Sequence, residues 1–357
     1  MARFHTLPVA AVDRLTDDSV ALTLAVPPAL REEYRHLPGQ HLALRRTVDG
    51  TEIRRTYSIC SPAPAPGTDG PRTLRVGVRL VEGGEFSTYA LKEIAVGDEL
   101  QVMTPAGRFT LEPAPGLYAA VVGGSGITPV LSIATTLLER APEARFCLVR
   151  SDRTAASTMF LEDVADLKDR FPDRFQLVTV LSREEQQAGP PSGRLDRERL
   201  AGLLPALLPV QRVAGWFLCG PFGLVREAER ALRGLAIPRT RIHQEIFHVE
   251  ATAPAVTASA TTAAPVHSTV TARLDGRGGT WPVREHESLL DTVLRNRSDA
   301  PYACKGGVCG TCRAFLVSGD VRMDRNFALE PEETAAGYVL ACQSHPVTEQ
   351  VELDFDR

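Results

Sequence analysis

Four cysteines in the last quarter of the chain offer the clearest chemistry in the sequence. Three of them stand in the stretch PYACKGGVCGTCR and the fourth follows 30 residues later: Cys304, Cys309, Cys312 and Cys342. Their C-x4-C-x2-C spacing with one distant partner is the ligand pattern of a class of [2Fe-2S] clusters, in which four thiolates hold two irons. Gly306, Gly307 and Gly310 let backbone N–H groups approach the sulfurs, which stabilises an anionic cluster.

Two other roles are open to this loop: a structural zinc site, or ordinary packing of buried cysteines. Zinc sites usually combine one C-x2-C pair with a second short pair of ligands. Here the first gap is four residues long, and Cys342 stands alone. The spacing therefore favours a two-iron cluster over zinc.

The composition describes a soluble globular protein of several domains. A chain of 357 residues is too long for one ordinary core, so two or three domains are expected. Hydrophobic residues make up 43% and charged residues 24%, and the net charge is -4. These totals favour neither nucleic acid nor an anionic membrane as a partner.

The remaining cysteines, Cys60, Cys147 and Cys219, are scattered along the chain. Scattered cysteines argue against a disulfide framework and predict a reducing, cytoplasmic location. The first twenty residues lack an apolar run and carry acidic side chains, so we predict no signal peptide. Residues 116–138 are uncharged and about long enough to span a bilayer. Three glycines and Pro129 split that stretch into a strand-like and a helix-like part, so we expect no membrane segment.

Changes of pattern along the chain predict three domains and a linker. Residues 1–113 alternate short β-rich runs with turns, which predicts an antiparallel β-barrel. Residues 114–249 alternate strands with helices, which predicts an α/β domain with a doubly wound parallel sheet. Residues 250–266 have one charge and no side chain larger than valine, and are interpreted as a flexible linker. A hairpin, a helix, the cysteine loop and further strands make residues 267–357 a small α+β domain.

Two segments of the first domain suit a flavin nucleotide. The run RRTYSIC ends a strand with Arg55, Tyr57 and Ser58. Alternation places Arg55 and Tyr57 on one face, where an arginine can meet a phosphate and an aromatic ring can pack on a planar group. In GGEFSTYAL, we expect Ser87 to cap a short helix whose free N–H groups form an anion site. The alternative is an exposed arginine and a half-buried tyrosine without a ligand.

The second domain carries a candidate dinucleotide site. In VVGGSGITP a strand leads into a glycine turn, with Thr128 as expected N-cap and Pro129 at the first helical position. The glycines of this turn are Gly123, Gly124 and Gly126. The first strand-to-helix crossover of a doubly wound sheet is where a pyrophosphate binds. Cys219 in CGPFG ends a later strand and could face a nicotinamide. A tight structural turn and a small buried side chain are the alternatives.

Basic residues follow the second and third strands of this domain. They are Arg150, Arg153 and Arg183, accompanied by Ser151 and Ser182. An acid at this place would hold a ribose 2′-hydroxyl, whereas arginines favour a 2′-phosphate. Asp152 is near but does not close the strand directly. We therefore predict NADPH rather than NADH.

Taken in order, these motifs resemble the ferredoxin-NADP reductase superfamily fused to a C-terminal plant-type ferredoxin with a β-grasp fold. The motifs are RxYS with GGxFS, then GGSGITP with CGP, then the cysteine loop. The opening segment, RRTYSICS and GGEFSTYAL look most like the reductase subunits of bacterial phenylacetyl-CoA epoxidases. That family carries FAD, uses NADPH and supplies electrons to a diiron oxygenase.

The resemblance implies roles for individual residues. It implies a flavin held by Arg55, Tyr57 and Ser58, with its pyrophosphate at Gly84, Phe86, Ser87 and Thr88. It implies a nicotinamide near Thr128, Cys219 and Gly220, and it places Glu245 and Phe247 of HQEIF where such enzymes close over the flavin. Ser58, Cys219 and Glu245 are the expected catalytic residues.

The expected activity is electron transfer from NADPH through FAD and the [2Fe-2S] cluster to an oxygenase partner. Phthalate dioxygenase-type reductases share the domain order but hold FMN and serve Rieske oxygenases, so they remain an alternative. An alternative of another class is a redox-inactive scaffold with zinc in the cysteine loop. No nucleic acid or membrane partner is expected.

Overall fold

The computed structural model describes residues 3–186, 189–248, 268–297 and 299–357. The chain divides into two compact units, one of Phe4–Glu250 and one of Met1–Arg3 with Ala251–Arg357. The predicted linker, residues 250–266, lies outside the described residues.

The first half of the larger unit is an antiparallel barrel. Its elements are β1 (Phe4–Thr16), β2 (Ser19–Ala25), β3 (His41–Val48), β4 (Thr51–Ser58), β5 (Thr73–Arg79), α1 (Glu85–Lys92) and β6 (Glu99–Met103). The strand order is β4-β3-β6-β1-β2-β5, and every pair is antiparallel. Just beyond the end of β4, Ile59 forms a bridge with Val76 of β5, so the two outer strands meet and the sheet curls round a core of leucine and valine side chains.

The second half of this unit is a parallel sheet with helices. Its elements are β7 (Gly116–Gly123), α2 (Ile127–Arg140), β8 (Ala144–Asp152), α3 (Leu161–Arg170), β9 (Phe175–Leu181), α4 (Arg197–Leu207), β10 (Val213–Pro221), α5 (Phe222–Gly234) and β11 (Ile242–His248). The order β11-β10-β7-β8-β9 is parallel throughout and reverses direction at β7. The crevice at the carboxyl ends of β7 and β10 is therefore the switch point where ligands of such sheets bind.

The smaller unit is a mixed sheet packed on a helix. Its elements are β12 (Thr269–Leu274), β13 (Arg277–Pro282), α6 (Leu289–Asn296), β14 (Arg313–Ser318), β15 (Val321–Met323), α7 (Pro331–Ala335), β16 (Tyr338–Leu340), β17 (Ser344–Pro346) and β18 (Gln350–Asp354). The main sheet has the order β13-β12-β18-β14-β16, with β12 and β18 parallel. The Ser288 hydroxyl caps α6 by accepting from the Asp291 N–H at 3.1 Å, and Leu290 and Val293 of α6 are buried in the core. This arrangement confirms the predicted β-grasp domain.

Two predicted helix caps are wrong. Helix α1 begins at Glu85 with Gly84 as N-cap, so Ser87 lies inside the first turn, where its hydroxyl donates to the Gly84 carbonyl at 3.0 Å. Helix α2 begins at Ile127 with Gly126 as N-cap, and Thr128 donates to the carbonyl of Ser125 at 2.9 Å. In both cases a glycine takes the N-cap position a few residues earlier, because it fits where chain segments pack closely.

The uncharged stretch 116–138 is divided between β7 and α2, as the glycines predict, whereas Pro129 is the third residue of α2 and not the first. Among the residues that the structure describes, no helix is long and apolar enough to cross a membrane.

Candidate redox sites

The predicted flavin residues come together at the end of β4 and the start of α1. Arg55 is exposed, Tyr57 is half-buried and Ser58 is buried. The ring centroids of Tyr57 and Phe86 are 5.5 Å apart, and burial raises the pKa of the Tyr57 hydroxyl. Phe86 is buried in the barrel core, so it would meet a ligand through its backbone. The half-buried face of Tyr57 remains as a platform for a planar group.

The N-terminus of α1 has the properties of an anion site. Its N-cap is Gly84, and within the described chain no side chain caps this end of the helix, so the first N–H groups are left for a ligand. A Cβ built on Gly84 would lie 2.6 Å from Ser87 Oγ and 2.8 Å from the carbonyl oxygen of Val81. Glycine is therefore required for this turn, and Thr88 completes the first turn by donating its N–H to the Gly84 carbonyl at 3.0 Å.

The predicted dinucleotide turn packs directly against the end of β10. A Cβ on Gly126 would lie 2.2 Å from the carbonyl oxygen of Cys219. A Cβ on Gly220, whose φ is +139°, would lie 2.7 Å from the carbonyl oxygen of Gly123. Gly124 has a φ of +53°. The glycines thus allow two strand ends to touch at the switch point, and they bring the predicted nucleotide residues into one place.

Glu245 lies beside the other two predicted catalytic residues, Ser58 and Cys219. Its carboxyl group accepts a hydrogen bond from the Ser58 hydroxyl at 3.4 Å, and Glu245 pairs in register with Cys219 on the neighbouring strand. Burial raises the pKa of Glu245 to about 8, an effect that the Ser58 hydrogen bond partly offsets. Burial, with the nearby Glu245 charge, raises the pKa of the Cys219 thiol well above its usual value. At neutral pH this site therefore holds a protonated carboxyl group and a neutral thiol.

Sequence reasoning missed one neighbour of this site. His41 Nδ1 lies 4.0 Å from the Glu245 carboxyl group, and burial lowers the pKa of the imidazole to about 4. The imidazole is therefore neutral at physiological pH. His41 is the first residue of β3. In the sequence, only the fact that it is a histidine could have suggested a functional role.

Phe247 lies two residues beyond Glu245 on β11. It is half-buried and packs against the core that the barrel and the parallel sheet share. The register between β10 and β11 shifts at this residue, so alternation does not fix the face on which Phe247 lies, and its position near the flavin stays a prediction.

The predicted arginines have different surroundings. Arg150 is buried, where its Nε donates to Asp152 at 2.8 Å and its Nη2 donates to the Met159 carbonyl at 2.9 Å. This position does not favour the predicted contact with a nucleotide, because the guanidinium is already paired away from solvent. Arg153 and Arg183 are exposed, and their strand ends are joined by a 2.9 Å hydrogen bond from the Arg183 N–H to the Arg153 carbonyl.

Ser182 is held beside this pair. Its backbone N–H donates to the Asp152 carbonyl at 2.8 Å, and its side chain is half-buried. The exposed arginines and Ser182 together form a basic, hydrogen-bonding edge at the carboxyl ends of β8 and β9. Such an edge suits a phosphate group.

The four predicted cluster cysteines lie close together in two pairs. A thiol hydrogen bond joins Cys304 to Cys309, and another joins Cys312 to Cys342. Two thiols for each of two irons is the donor set of a [2Fe-2S] cluster, whereas zinc takes four ligands around one ion. The donor pairs therefore fit the two-iron cluster.

Backbone N–H groups surround these sulfurs. The Gly306 N–H donates to Cys304 Sγ at 3.3 Å. The hydrogen bond from the Cys309 thiol, together with backbone N–H groups that include that of Gly306, lowers the pKa of Cys304 to about 5. Gly307 and Gly310 have φ angles of +77° and +68°, which turn the loop around the thiols. The loop thus stabilises the Cys304 thiolate, whereas hydrogen bonds to Cys304 and Cys342, together with burial, raise the pKa values of Cys309 and Cys312 well above the usual value.

Comparison with known families agrees with this order of sites. An oxidoreductase FAD-binding domain matches residues 6–111, and an oxidoreductase NAD-binding domain matches residues 121–230. A 2Fe-2S iron-sulfur cluster binding domain matches residues 272–347. A component of the 1,2-phenylacetyl-CoA epoxidase of Escherichia coli (strain K12) is 43% identical over 360 residues, covering 100% of this chain and 99% of the relative. The chain belongs to the ferredoxin reductase superfamily, in the branch with a fused [2Fe-2S] domain.

Other members of this superfamily are also similar along their whole length. The ferredoxin reductase component of 3-ketosteroid-9-alpha-monooxygenase from Rhodococcus rhodochrous is 33% identical over 362 residues, covering 99% of this chain and 97% of the relative. The solved structure of phthalate dioxygenase reductase is 23% identical, with a TM-score of 0.57 over 99% of this chain and 98% of that one. This last likeness shows the fold.

Membership confirms the main sequence predictions. The reductase is an NAD(P)H-dependent oxidoreductase with FAD, one [2Fe-2S] cluster and the three predicted kinds of fold, and it is the reductase component of an oxygenase system. A redox-inactive zinc scaffold does not fit these findings.

Proposed function

We propose that this reductase uses NADPH and supplies electrons to a diiron oxygenase that epoxidises phenylacetyl-CoA. The observation that carries the proposal is the 43% identity to the Escherichia coli epoxidase component, which extends over both units and all three sites. The cysteines outside the cluster loop, Cys60, Cys147 and Cys219, are free thiols, which supports work in the cytoplasm.

When bound, FAD and the [2Fe-2S] cluster supply the conversion of a two-electron hydride into single electrons. The residues of the chain bind and orient the flavin and the dinucleotide. Tyr57 offers an aromatic face, the N-terminus of α1 binds phosphate, and the turn from Gly123 to Gly126 takes the dinucleotide backbone. Glu245 holds a proton at neutral pH and can exchange it with the Ser58 hydroxyl, because the two groups are within hydrogen-bond distance.

The preference for NADPH over NADH is part of the proposal. It is supported by the exposed guanidinium groups of Arg153 and Arg183 beside Ser182 at neighbouring strand ends. Of the acidic side chains near this edge, Asp152 is buried and paired with Arg150, and Glu184 accepts a hydrogen bond from the Ala155 N–H at 2.9 Å. An anionic 2′-phosphate would meet the two exposed cations, with the Asp152 carboxylate neutralised behind them by Arg150.

A second candidate is the reductase of a steroid monooxygenase, which the 33% identity to the Rhodococcus rhodochrous component favours. The higher identity to the epoxidase component gives the first candidate preference. The two differ in the oxygenase that accepts electrons, so the acceptor decides between them.

The test is reconstitution with a purified oxygenase component. We expect phenylacetyl-CoA-dependent NADPH oxidation and epoxide formation when the reductase is mixed with the catalytic component of the epoxidase. The matched control is the oxygenase component of a 3-ketosteroid monooxygenase with its steroid. Turnover with the steroid oxygenase and none with the epoxidase would overturn the assignment.

A further inference from the structure

One face of strand β5 in the barrel lies against the parallel-sheet half of the same unit. Side chains two residues apart on a strand point to the same side. Three positions of β5 therefore share this face and meet three residues at the start of α3 and just before it: Arg75 meets Asp163, Gly77 meets Phe160, and Arg79 meets Ser157. We call this set the β5 contact.

At the outer positions of the β5 contact, two arginine side chains bind residues of the other half of the unit. Arg75 forms an ion pair with Asp163, and its guanidinium lies 5.2 Å from the centre of the Phe160 ring. Arg79 donates to the Ser157 carbonyl and pairs with Asp18 of its own barrel at 3.2 Å. Both arginines thus draw the two halves of the unit together on either side of Gly77.

At Gly77 the strand backbone itself comes close to the other half of the unit. A Cβ built there would lie 2.7 Å from Phe160 Cε2 and 2.8 Å from Thr128 Cγ2, distances at which the atoms must move apart. The φ of Gly77 lies outside the left-handed region, so the strand itself does not require glycine. The missing side chain is therefore explained by the approach of the other half.

Gly77 also lies next to residues that adjoin both the predicted flavin site and the predicted dinucleotide site. Its neighbour Val76 forms a bridge with Ile59, which follows directly after Ser58 at the flavin strand. On the other side, Thr128 stands in the first turn of α2, immediately behind the dinucleotide turn. The spacing at Gly77 is therefore part of the spacing between the flavin strand and the nucleotide turn.

We propose that Gly77 is a positioning residue for hydride transfer: its lack of a side chain sets how closely the barrel approaches Thr128. This inference rests on the proposed function of the reductase. An added methyl group must displace Thr128, Phe160 or the barrel strand. Because hydride transfer requires reacting atoms within about 3–3.5 Å, a shift approaching 1 Å is expected to slow it by as much as about a hundredfold.

The experiment is anaerobic reduction of the flavin by saturating NADPH, followed by stopped-flow absorbance, in the full chain and in Gly77→Ala. We expect the limiting rate of flavin reduction to fall by about ten- to a hundredfold. Flavin content, iron content and reduction by dithionite should stay unchanged, because the flavin and cluster sites are not touched. The matched control is Gly215→Ala on β10, where a Cβ would have ordinary contacts at 3.4 Å.

A second variant separates positioning from a general loss of folding. In Gly77→Ala with Phe160→Leu, the shorter side chain removes the ring atoms 2.7 and 2.9 Å from the new methyl group, which can then move away from Thr128 Cγ2 into the space that the ring occupied. We expect this double variant to regain at least half of the lost rate on a logarithmic scale. A double variant that holds flavin but stays as slow as Gly77→Ala would overturn the proposal.

The outcomes also distinguish this proposal from the one on which it rests. If the unaltered reductase is reduced by NADPH and Gly77→Ala is reduced equally fast, the positioning role is wrong and the proposed function stands. If the unaltered reductase with bound flavin is not reduced by NADPH, the proposed function itself fails.

Discussion

The hydroxyl group of Ser58 lies 3.4 Å from the carboxyl group of Glu245, although 187 positions separate the two residues in the chain. Ser58 ends a strand of the barrel, and Glu245 stands on the last strand of the parallel sheet. The hydrogen bond therefore forms when both halves of the larger unit are folded against each other. It places the candidate proton donor at the boundary where a flavin and a nicotinamide would meet.

Replacement of Glu245 by glutamine should change how stability depends on pH. The pKa of Glu245 is raised to about 8 in the folded chain, so the folded state binds more protons than the unfolded state between its usual pKa and 8. The parent chain should therefore lose stability as the pH rises through this range, whereas Glu245→Gln should lose less. The difference could reach about 5 kcal/mol, since the pKa rises from 4.5 to about 8 and one pKa unit corresponds to about 1.4 kcal/mol.

The measurement is urea unfolding of both chains at several pH values from 5 to 9. Glu112→Gln, which changes an exposed carboxylate in the same unit, should follow the parent. Parallel profiles for the parent and Glu245→Gln would show that Glu245 does not titrate in this range.

Replacement of Arg183 by alanine should reduce the preference for NADPH. Loss of a charge-assisted hydrogen bond to a phosphate costs about 1.5–3 kcal/mol, so kcat/KM for NADPH should fall by about ten- to a hundredfold and that for NADH should change little. The control is Arg145→Ala, an exposed arginine at the amino end of β8, on the opposite edge of the sheet. An unchanged ratio of the two kcat/KM values would show that Arg183 does not bind the 2′-phosphate.

The buried pair of Arg150 and Asp152 should behave differently from an exposed pair. Arg150→Met leaves the Asp152 carboxylate buried without its partner, and such changes cost about 3–5 kcal/mol. Adding Asp152→Leu should recover much of this loss, because the uncompensated charge is removed. Arg170→Met breaks an exposed pair with Glu139 and should cost at most about 1 kcal/mol. Thermal unfolding of the three variants tests this order, and equal costs for Arg150→Met and Arg170→Met would contradict it.

Loss of one thiol from either pair should abolish the cluster and leave the flavin in place. Cys309→Ser and Cys342→Ser each remove one ligand, while the flavin residues belong to the other compact unit. Iron and sulfide analysis should give about two of each per parent chain and almost none in the variants, with FAD unchanged. Cys147→Ala, at a buried thiol outside the loop, should keep the cluster. One zinc per parent chain in place of iron would refute the assignment.

The sequence alone predicted those parts of the molecule that depend on neighbours in the chain. The cysteine spacing, the glycine turns and the change from short strands to alternating strands and helices are all local patterns. They were sufficient for the barrel, the parallel sheet and a small α+β domain, whereas the grouping of Ser58, Cys219 and Glu245 in one site was implied by the resemblance to the reductase superfamily. The predictions of the two helix caps were wrong, because Gly84 and Gly126 take the N-cap positions ahead of Ser87 and Thr128.

Local sequence patterns could not predict the properties of residues whose surroundings depend on contacts with residues far away in the sequence. Arg150 looked like a ligand residue, but residues that fold around the end of β8 bury it with Asp152. In the sequence, Gly77 looked like an ordinary strand residue. Its proposed role depends on the close approach of Phe160 and Thr128, which come 83 and 51 positions later. His41 gained its role from Glu245, which lies across the boundary between the barrel and the parallel sheet.

Strand β18 of the smaller unit has a consequence for how the protein is made. It is the middle strand of its sheet, between β12 and β14, and it buries Val351 and Leu353. All four cluster thiols precede it in the chain, since the last of them is Cys342. During synthesis the thiols therefore leave the ribosome before the strand that completes the core beneath them. A growing chain carries four reactive thiols without their fold, so iron and sulfide should be delivered after translation of β18.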